Sequence, residues 1–383
     1  MTQLRIRAVY MRGGTSKGVF FCAEDLPADP VVRDRILLRV MGSPDRYGKQ
    51  IDGMGGATSS TSKVVIVARS TRPDSDVDYR FGQVAIDAPV IDWSGNCGNL
   101  TTAVGGFAIG EGLIDGPADG VAIVRLWQVN IAKRIIAHVP MRGGEVVEEG
   151  DFELDGVTFP AAEVKLEFID PGADGASGGM FPSGAPVEAL EVPGIGTVEA
   201  TLIDAGNPTI FISATSLGLT GIELPDEVNR NAELLERAET IRAHAAVAMG
   251  LAASAAETTV KRPHTPKLAF IAVPATYTAS DGRAVTEDSI DLLARIFSMG
   301  KLHHAMTGTG GVAIAVAAAI PGTLVHRIAR SRSGGRLCFG HPSGTLCVGA
   351  DAQERDGQWT VSRAQMSRSA RRLMEGWVRV PAM

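Results

Sequence analysis

The sequence predicts an α+β protein of two similar domains, each a curved and mostly antiparallel sheet wrapped around a central helix. Three observations lead to this fold class. At 383 residues the chain is long for a single hydrophobic core. Its strand-like runs are joined by short turns, without the regular helix after each strand that a doubly wound parallel sheet requires. Two glycine-rich turns, one in each half, open onto segments that are apolar on nearly every face.

The first half reads as a strand, a turn, a second strand and then a helix. Asp29 is suited to cap this helix, Pro30 to its first turn and Gly42 to its end. The strands expected after it lie at residues 63–69, 78–86, 121–130 and 132–140.

A stretch rich in glycine and proline, residues 171–186, marks the predicted domain boundary. We therefore expect an N-terminal domain over residues 1–184, completed by a C-terminal tail of about residues 366–383. The second domain then covers residues 185–365.

The second half begins with strands at residues 198–204 and 209–213, followed by a long amphipathic helix over residues 226–255. A strand at residues 267–273 follows. A shorter helix is expected to start near Thr286, where Glu287 and Asp288 would lie at the positive end of its dipole.

The two apolar segments are predicted to be the central helices. One follows Cys97 and Gly98, and the other, residues 312–320, follows the turn that starts at Thr307. A buried strand is the alternative for the second segment, because its length does not decide between the two. If both are helices, their first turns offer free backbone N–H groups that bind carboxylates or phosphates.

Five ordered motifs spread over the chain resemble the PrpF family. They are Met-Arg-Gly-Gly-Thr-Ser-Lys-Gly (residues 11–18), Ile-Asp-Gly-Met-Gly-Gly-Ala-Thr-Ser-Ser-Thr-Ser-Lys (51–63), Ser-Gly-Asn-Cys-Gly-Asn (94–99), Asp-Ala-Gly-Asn-Pro (204–208) and Gly-His-Pro-Ser-Gly (340–344). The family includes 2-methylaconitate and aconitate isomerases, with 4-oxalomesaconate tautomerases as close relatives. Residues 42–52 look more like the methylaconitate branch. The resemblance implies a diaminopimelate epimerase-like fold with the active site in the cleft between the domains.

Lys63 and Cys97 are the candidate catalytic residues. Each follows a turn rich in glycine and hydroxyl groups, and an amine and a thiol can both be tuned to exchange a proton near neutral pH. From the residues alone, Lys63 could instead be an exposed strand residue and Cys97 a packing residue. The resemblance favours catalysis for both. To act as a general base, Lys63 must have a lowered pKa, which burial or a nearby cation can provide.

The substrate is expected to be a small polycarboxylate, held by helix ends and by side-chain donors. The candidate binding residues are Arg12, Gly14, Thr15, Ser16, Ser60, Thr61, Ser62, Asn96, Gly98, Asn99, Asn207, Thr307, Gly308, His341, Ser343 and Gly344. His341 could equally be a structural residue.

Several other classes of function are disfavoured. The net charge of −6 gives no reason to expect nucleic-acid binding, and no apolar run is long enough to span a membrane. Residues 12–17 lack the spacing of a phosphate loop, and residues 307–311 lack a full dinucleotide fingerprint. His303 and His304 are adjacent and cannot bind one ion together, so we expect them to lie at a solvated helix end. With no metal or cofactor motif in the sequence, we expect neither group in the protein.

Cysteine usage bears on the compartment and on one alternative activity. The four cysteines, without a secretory leader or a C-x-x-C pair, favour reduced thiols in the cytoplasm, with Cys22, Cys338 and Cys347 as packing residues. Amino-acid epimerases of this fold use two opposed cysteines, the second in a Cys-Gly-Thr-Gly turn. The matching turn here begins with Thr307, which disfavours a two-thiol racemase.

The sequence therefore predicts a cofactor-independent isomerase of unsaturated di- or tricarboxylates, with 2-methylaconitate or aconitate as the leading substrates. Lys63 would remove an allylic proton, and Cys97 would either return a proton or stabilise the negative charge of the intermediate. Three alternatives remain: a tautomerase of an oxalomesaconate-like keto acid, a polycarboxylate-binding protein without turnover, and an amino-acid racemase. The sequence also allows a homodimer.

Overall fold

The computed structural model describes residues 3–172, 179–330, 335–355 and 358–381. The chain divides into two compact units: unit 1 comprises Met1–Leu166 and Ser367–Met383, and unit 2 comprises Glu167–Met366. Most of the breaker stretch from Pro171 to Gly179 lies outside the described residues. The domain boundary at residue 184 stays a prediction.

The described residues of unit 1 form two α-helices and a sheet that curves around one of them. The helices are α1 (Pro30–Met41) and α2 (Gly98–Gly110). The strands are β1 (Leu4–Gly13), β2 (Ser16–Cys22), β3 (Lys63–Arg69), β4 (Val77–Val84), β5 (Ile91–Asp92), β6 (Gly120–Gln128), β7 (Lys133–Arg142), β8 (Glu145–Val146) and β9 (Glu163–Ile169), which continues into unit 2.

Unit 2 repeats this plan with more helices. Its strands are β10 (Glu188–Val192), β11 (Gly196–Ala205), β12 (Asn207–Ser213), β13 (Lys267–Ala272), β14 (Tyr277–Thr278), β15 (Ala284–Val285), β16 (Leu292–Ser298), β17 (Lys301–Leu302), β18 (Arg336–His341) and β19 (Gly344–Arg355). Its helices are α3 (Pro225–Asn229), α4 (Ala232–Ala248), α5 (Ala255–Lys261), α6 (Gly308–Ala319) and α7 (Leu324–Ile328). The last strand, β20 (Gln358–Val380), belongs to unit 2 at its start and to unit 1 at its end.

Both units use the same strand order around their central helix. In unit 1 the hairpin β1–β2 is followed by β3, which runs parallel to β2 and antiparallel to β4, and β4 runs parallel to β6. In unit 2 the hairpin β11–β12 is followed by β13, parallel to β12 and antiparallel to β16, and β16 runs parallel to β18. The prediction of mixed, largely antiparallel sheets is confirmed.

The two central helices are buried, as their apolar sequences predicted. Residues Gly98 to Gly105 of α2 and Gly308 to Ala317 of α6 are all buried. Helix α1 packs on the other face of the unit 1 sheet through Ile36, Leu37 and Val40. Its caps are the predicted ones: the Asp29 carboxylate accepts from the Val31 N–H, and Gly42 ends the helix with φ +76°.

Two of the predicted helices of the second half are wrong. The helix expected over residues 226–255 is broken into α3, α4 and α5, because Asn231 and Ser254 each cap a new helix. The helix expected near Thr286 is a single 3-10 turn that leads into β16. Every residue of β16 is buried, and a short segment that is buried on all sides has no periodicity that separates a strand from a helix.

Two further expectations are also corrected. Cys338 and Cys347 lie directly opposite each other in the β18–β19 pair and form a disulfide, with 4.0 Å between their Cα atoms, so they are not reduced packing residues. His303 is 4% exposed and stacks on His304, so the pair is not a solvated helix end. Among the described residues, no helix combines the length and apolarity needed to cross a membrane.

Candidate active site around Lys63 and Cys97

Lys63 is the first residue of β3, and its side chain is buried. Its Nζ donates a hydrogen bond to Gln83 Oε1 at 2.6 Å, across the β3–β4 pair, and lies 5.0 Å from the centre of the Phe81 ring. A Cβ on Gly18 in the neighbouring strand would lie 2.7 Å from the Lys63 carbonyl oxygen, so this close packing requires glycine there. The lysine is thus fixed between two strands, at 4% exposure.

Burial lowers the pKa of Lys63, which favours the neutral amine that a general base needs. Cys97 opposes this shift through its charge and through a hydrogen bond to the lysine. Gln83 is itself held, because its Nε2 donates to the carbonyl oxygens of Ser59 and Ser62. A neutral amide therefore orients the lysine without adding a negative charge that would keep it protonated.

Cys97 is the N-cap residue of α2, the position predicted from the sequence. Its side chain makes no capping hydrogen bond, and its backbone N–H donates to Asn96 Oδ1 at 2.7 Å. The same oxygen accepts from the Tyr79 hydroxyl at 3.1 Å. At a helix N-terminus the dipole favours a negative charge, which suits a thiol that exchanges a proton.

The turn between β1 and β2 lies against the start of α2. Asn99 Nδ2 donates to Thr15 Oγ1 at 3.0 Å and approaches Ser16 Oγ at 3.5 Å. Gly14 has φ +50°, and a Cβ there would lie 2.5 Å from Asn99 Oδ1. These contacts bring Gly14, Thr15, Ser16, Gly98 and Asn99 to one end of the helix.

Arg12 is also in this region, but its guanidinium is already engaged. Its Nη1 donates to the Gly14 carbonyl oxygen and to both the carbonyl and hydroxyl oxygens of Ser369. Burial, followed by the charge of Arg371, lowers the pKa of Arg12. This residue therefore joins the β1–β2 turn to β20.

The three hydroxyl residues before Lys63 mainly stabilise their own turn. Ser62 Oγ accepts from Gln50 Nε2 at 2.8 Å, and Thr61 Oγ1 lies 2.8 Å from Thr58 Oγ1. The Ser60 carbonyl oxygen accepts from the Lys17 N–H. Their part in binding a substrate stays a prediction.

In unit 2, Asn207, Thr307 and Gly308 meet at the start of α6. Asn207 Nδ2 donates to Thr309 Oγ1 at 3.1 Å. Thr307 Oγ1 accepts from the Gly310 N–H at 3.1 Å and so caps the helix.

The other predicted residues of unit 2 form the turn between β18 and β19. His341 Nδ1 accepts from the Ser343 N–H, and Ser343 Oγ donates to the His304 carbonyl oxygen. Tyr277 donates to the carbonyl oxygens of His341 and Gly344. His341 is 2% exposed. The part of these residues in binding a substrate stays a prediction.

Sequence reasoning missed three residues around the Lys63–Cys97 pair: Gln83, Tyr79 and Arg368. The first two lie on β4, at positions that alternate with Phe81, and no local motif marks them. Arg368 lies on β20, and its charge interaction with Cys97 depends on strand pairing distant in sequence. The described part of the chain contains no group of three or more metal-ligating side chains arranged for an ion.

Comparison with known proteins identifies relatives over nearly the whole chain. The family model described as "PrpF protein" matches residues 3–381. The "2-methyl-aconitate isomerase" of Cupriavidus necator is 60% identical over 388 residues, which cover 99% of this chain and 98% of that protein.

Two solved structures have a similar fold. The "Methylitaconate-delta-isomerase" structure has a TM-score of 0.77 at 38% identity and covers 100% of this chain and 97% of its own. A hydroxyproline epimerase from Agrobacterium vitis has a TM-score of 0.60 at 14% identity, covering 100% and 94%. The second likeness concerns the fold alone. Together they confirm the predicted α+β, epimerase-like fold class.

Proposed function

Because this chain belongs to the PrpF family, we propose that it is an isomerase that interconverts the cis and trans forms of an unsaturated tricarboxylate, with 2-methylaconitate as the leading substrate. The observation that carries this proposal is the buried Lys63 amine, held by the neutral Gln83 beside the Cys97 thiol. The 60% identity to a protein named for 2-methylaconitate supports the choice of substrate.

In the proposed reaction, neutral Lys63 removes a proton from the carbon next to the double bond. The C–H electron pair then delocalises over the former double bond and its carboxylate, which gives a dienolate. The former double bond now has single-bond character and can rotate. Return of one proton to the same carbon restores the double bond in the other configuration.

Cys97 is proposed to return that proton or to stabilise the negative charge of the dienolate. Its position at the N-cap of α2 places it where the helix dipole favours negative charge. Stabilisation of developing charge by fixed dipoles is usually the largest catalytic contribution.

The reaction moves one proton and involves no oxidation or reduction, so the proposal requires no cofactor. Thr15, Ser16 and Asn99 would hold a carboxylate at the same helix end. A homodimer and a cytoplasmic location stay predictions.

The test is incubation of the protein with cis or trans 2-methylaconitate in heavy water, followed by proton NMR and ultraviolet absorbance. We expect the isomers to interconvert and deuterium to enter the allylic position. Isomerisation without any solvent deuterium would contradict a lysine that equilibrates with solvent, unless one shielded base returns the same proton.

The same experiment separates the alternatives. A tautomerase would act on an oxalomesaconate-like keto acid but not on 2-methylaconitate. A polycarboxylate-binding protein without turnover would bind the tricarboxylate saturably and would not exchange its protons with solvent. A racemase would exchange the α-proton of an amino acid. Any of these results without turnover of the tricarboxylate would refute the proposed function.

A further inference from the structure

Arg368 on β20 is a buried cation whose hydrogen bonds to the described residues are incomplete. Its side chain is 2% exposed, and its Nε has no hydrogen-bond partner among the described residues. An arginine at neutral pH is a cation, and a buried charge is costly unless it is paired and hydrogen-bonded. A buried arginine with incomplete hydrogen bonding is expected where a ligand supplies an anionic partner.

The location of Arg368 identifies the site that this anion would occupy. Burial lowers the pKa of Arg368 to about 10, and the charge of Cys97 opposes that shift, so the guanidinium lies within electrostatic reach of the thiol. The next residue, Ser369, accepts from Arg12 and from the Gly14 N–H, which ties this part of β20 to the turn at the start of α2. Two different features, a helix N-terminus and an incompletely bonded guanidinium, therefore lie near the same thiol.

We propose that Arg368 binds the substrate carboxylate that is conjugated with the reacting carbons, next to Lys63 and Cys97. This inference rests on the proposed function and goes further, because it assigns the residue that receives the charge of the dienolate. A guanidinium presents two parallel N–H donors to one carboxylate, so it suits this group better than an ammonium does. The carboxylate would in turn supply a counter-charge to the Arg368 guanidinium.

The test measures binding separately from turnover. The probe is propane-1,2,3-tricarboxylate, a saturated tricarboxylate that has no double bond to isomerise, and its Kd is measured by calorimetry. We expect Arg368→Met to weaken binding by about 10- to 100-fold, since a hydrogen bond to a charged group contributes that much. Arg368→Lys keeps the charge but loses the paired donors, and should bind with intermediate affinity. The matched control is Arg379→Gln, which removes an exposed arginine from the same strand and should leave Kd unchanged.

Thermal melts distinguish a binding role from a structural one. If Arg368 serves a ligand, Arg368→Met without ligand should melt at or above the temperature of the wild type, because an unpaired buried charge has been removed. At one ligand concentration, the tricarboxylate should raise the melting temperature of the wild type more than that of the variant. A structural arginine would give the reverse: a lower melting temperature and unchanged affinity in Arg368→Lys.

The outcomes also separate this inference from the proposed function. Tricarboxylate binding that depends on Arg368, without turnover of 2-methylaconitate, would support the inference and refute the isomerase. Turnover with unchanged Kd and KM in both Arg368 variants would refute the inference and leave the isomerase in place. If the wild type binds no tricarboxylate, Arg368 has no such ligand and the inference is wrong.

Discussion

Helix α2 of unit 1 and helix α6 of unit 2 begin in similar turns but with different N-cap residues. The Cys97 sulfur makes no capping bond to α2, whereas Thr307 Oγ1 accepts the Gly310 N–H of α6. The first turn of α6 is therefore partly satisfied by its own chain. The first turn of α2 receives no such bond from its N-cap side chain and has the Cys97 thiol beside it.

A second pair of residues extends the comparison. Lys267 begins β13 as Lys63 begins β3, and each strand follows the same type of hairpin. Lys63 contacts Gln83 and Cys97, while Lys267 Nζ lies 3.1 Å from both His264 Nδ1 and Ser298 Oγ. Equivalent positions in two similar scaffolds thus carry a lysine next to a thiol in unit 1 and a lysine next to a histidine and a serine in unit 2. Proton transfer is expected in unit 1 alone.

The largest expected difference is between Lys63→Met and Lys267→Met. Loss of a positioned general base should lower the turnover of 2-methylaconitate by about 10² to 10⁴ in the Lys63 variant. The Lys267 variant, which removes a buried lysine from the equivalent position, should lose far less. Initial rates and a circular-dichroism melt of each variant provide the measurement. Equal losses in two folded variants would show that the two lysines do not differ in catalytic role.

The two N-cap residues should separate activity from stability. Cys97→Ala should lower turnover by about 10² or more without loss of a cap, because the sulfur does not bond the helix. Thr307→Ala should cost about 1 kcal/mol of stability, because the cap of α6 is lost, and Thr307→Ser should restore it. Melting temperatures and rates of all three variants test this. A Cys97→Ala protein that is less stable but fully active would contradict it.

Gln83→Glu should have a smaller and pH-dependent effect. A carboxylate in place of the amide favours the ammonium form and raises the pKa of Lys63. The neutral base then becomes populated only at higher pH, and each unit of that rise lowers the rate at neutral pH about tenfold. The measurement is kcat/KM against pH, with the rate recovering in alkaline solution. A loss that is the same at every pH would show that the amide only supports the fold.

The smallest effect is a shift in the titration of Lys63 when the thiol is removed. Burial lowers the pKa of this lysine and Cys97 opposes the shift, so Cys97→Ala should move the titration to lower pH. Carbon NMR of labelled lysine measures this without any need for activity, and Lys63→Met assigns the signal. A shift to higher pH would mean that the thiol does not interact with the lysine as described.

The sequence predicted elements whose signals are local. Strand β3 and helix α1 have the predicted bounds, because a polar turn precedes the first and Asp29, Pro30 and Gly42 delimit the second. The buried character of α2 and α6 also follows from their composition. After Thr286 the acidic residues suggested a helix start, but the short buried segment that follows is a strand, and its pattern does not distinguish the two.

The same distinction holds for the site. Lys63, Cys97, Asn99 and Thr15 lie in conspicuous turns, and the structure brings them to one helix end. Arg368 could not be found in this way. A single arginine in a polar C-terminal segment carries no motif, and its burial arises only when β20 pairs with strands far away in the sequence.

Strand β20 also has a consequence for how the protein is made. Gly13 of β1 pairs with Ala370, so one edge of β1 has no β20 partner until the ribosome has added more than three hundred residues. An unpaired edge of that kind can pair with other chains in the meantime. Strand pairing over such a separation is slow, which prolongs the exposure. The segment that delivers Arg368 is thus also the segment that closes the N-terminal sheet, so newly made chains should acquire the complete site and protection from aggregation at the same moment.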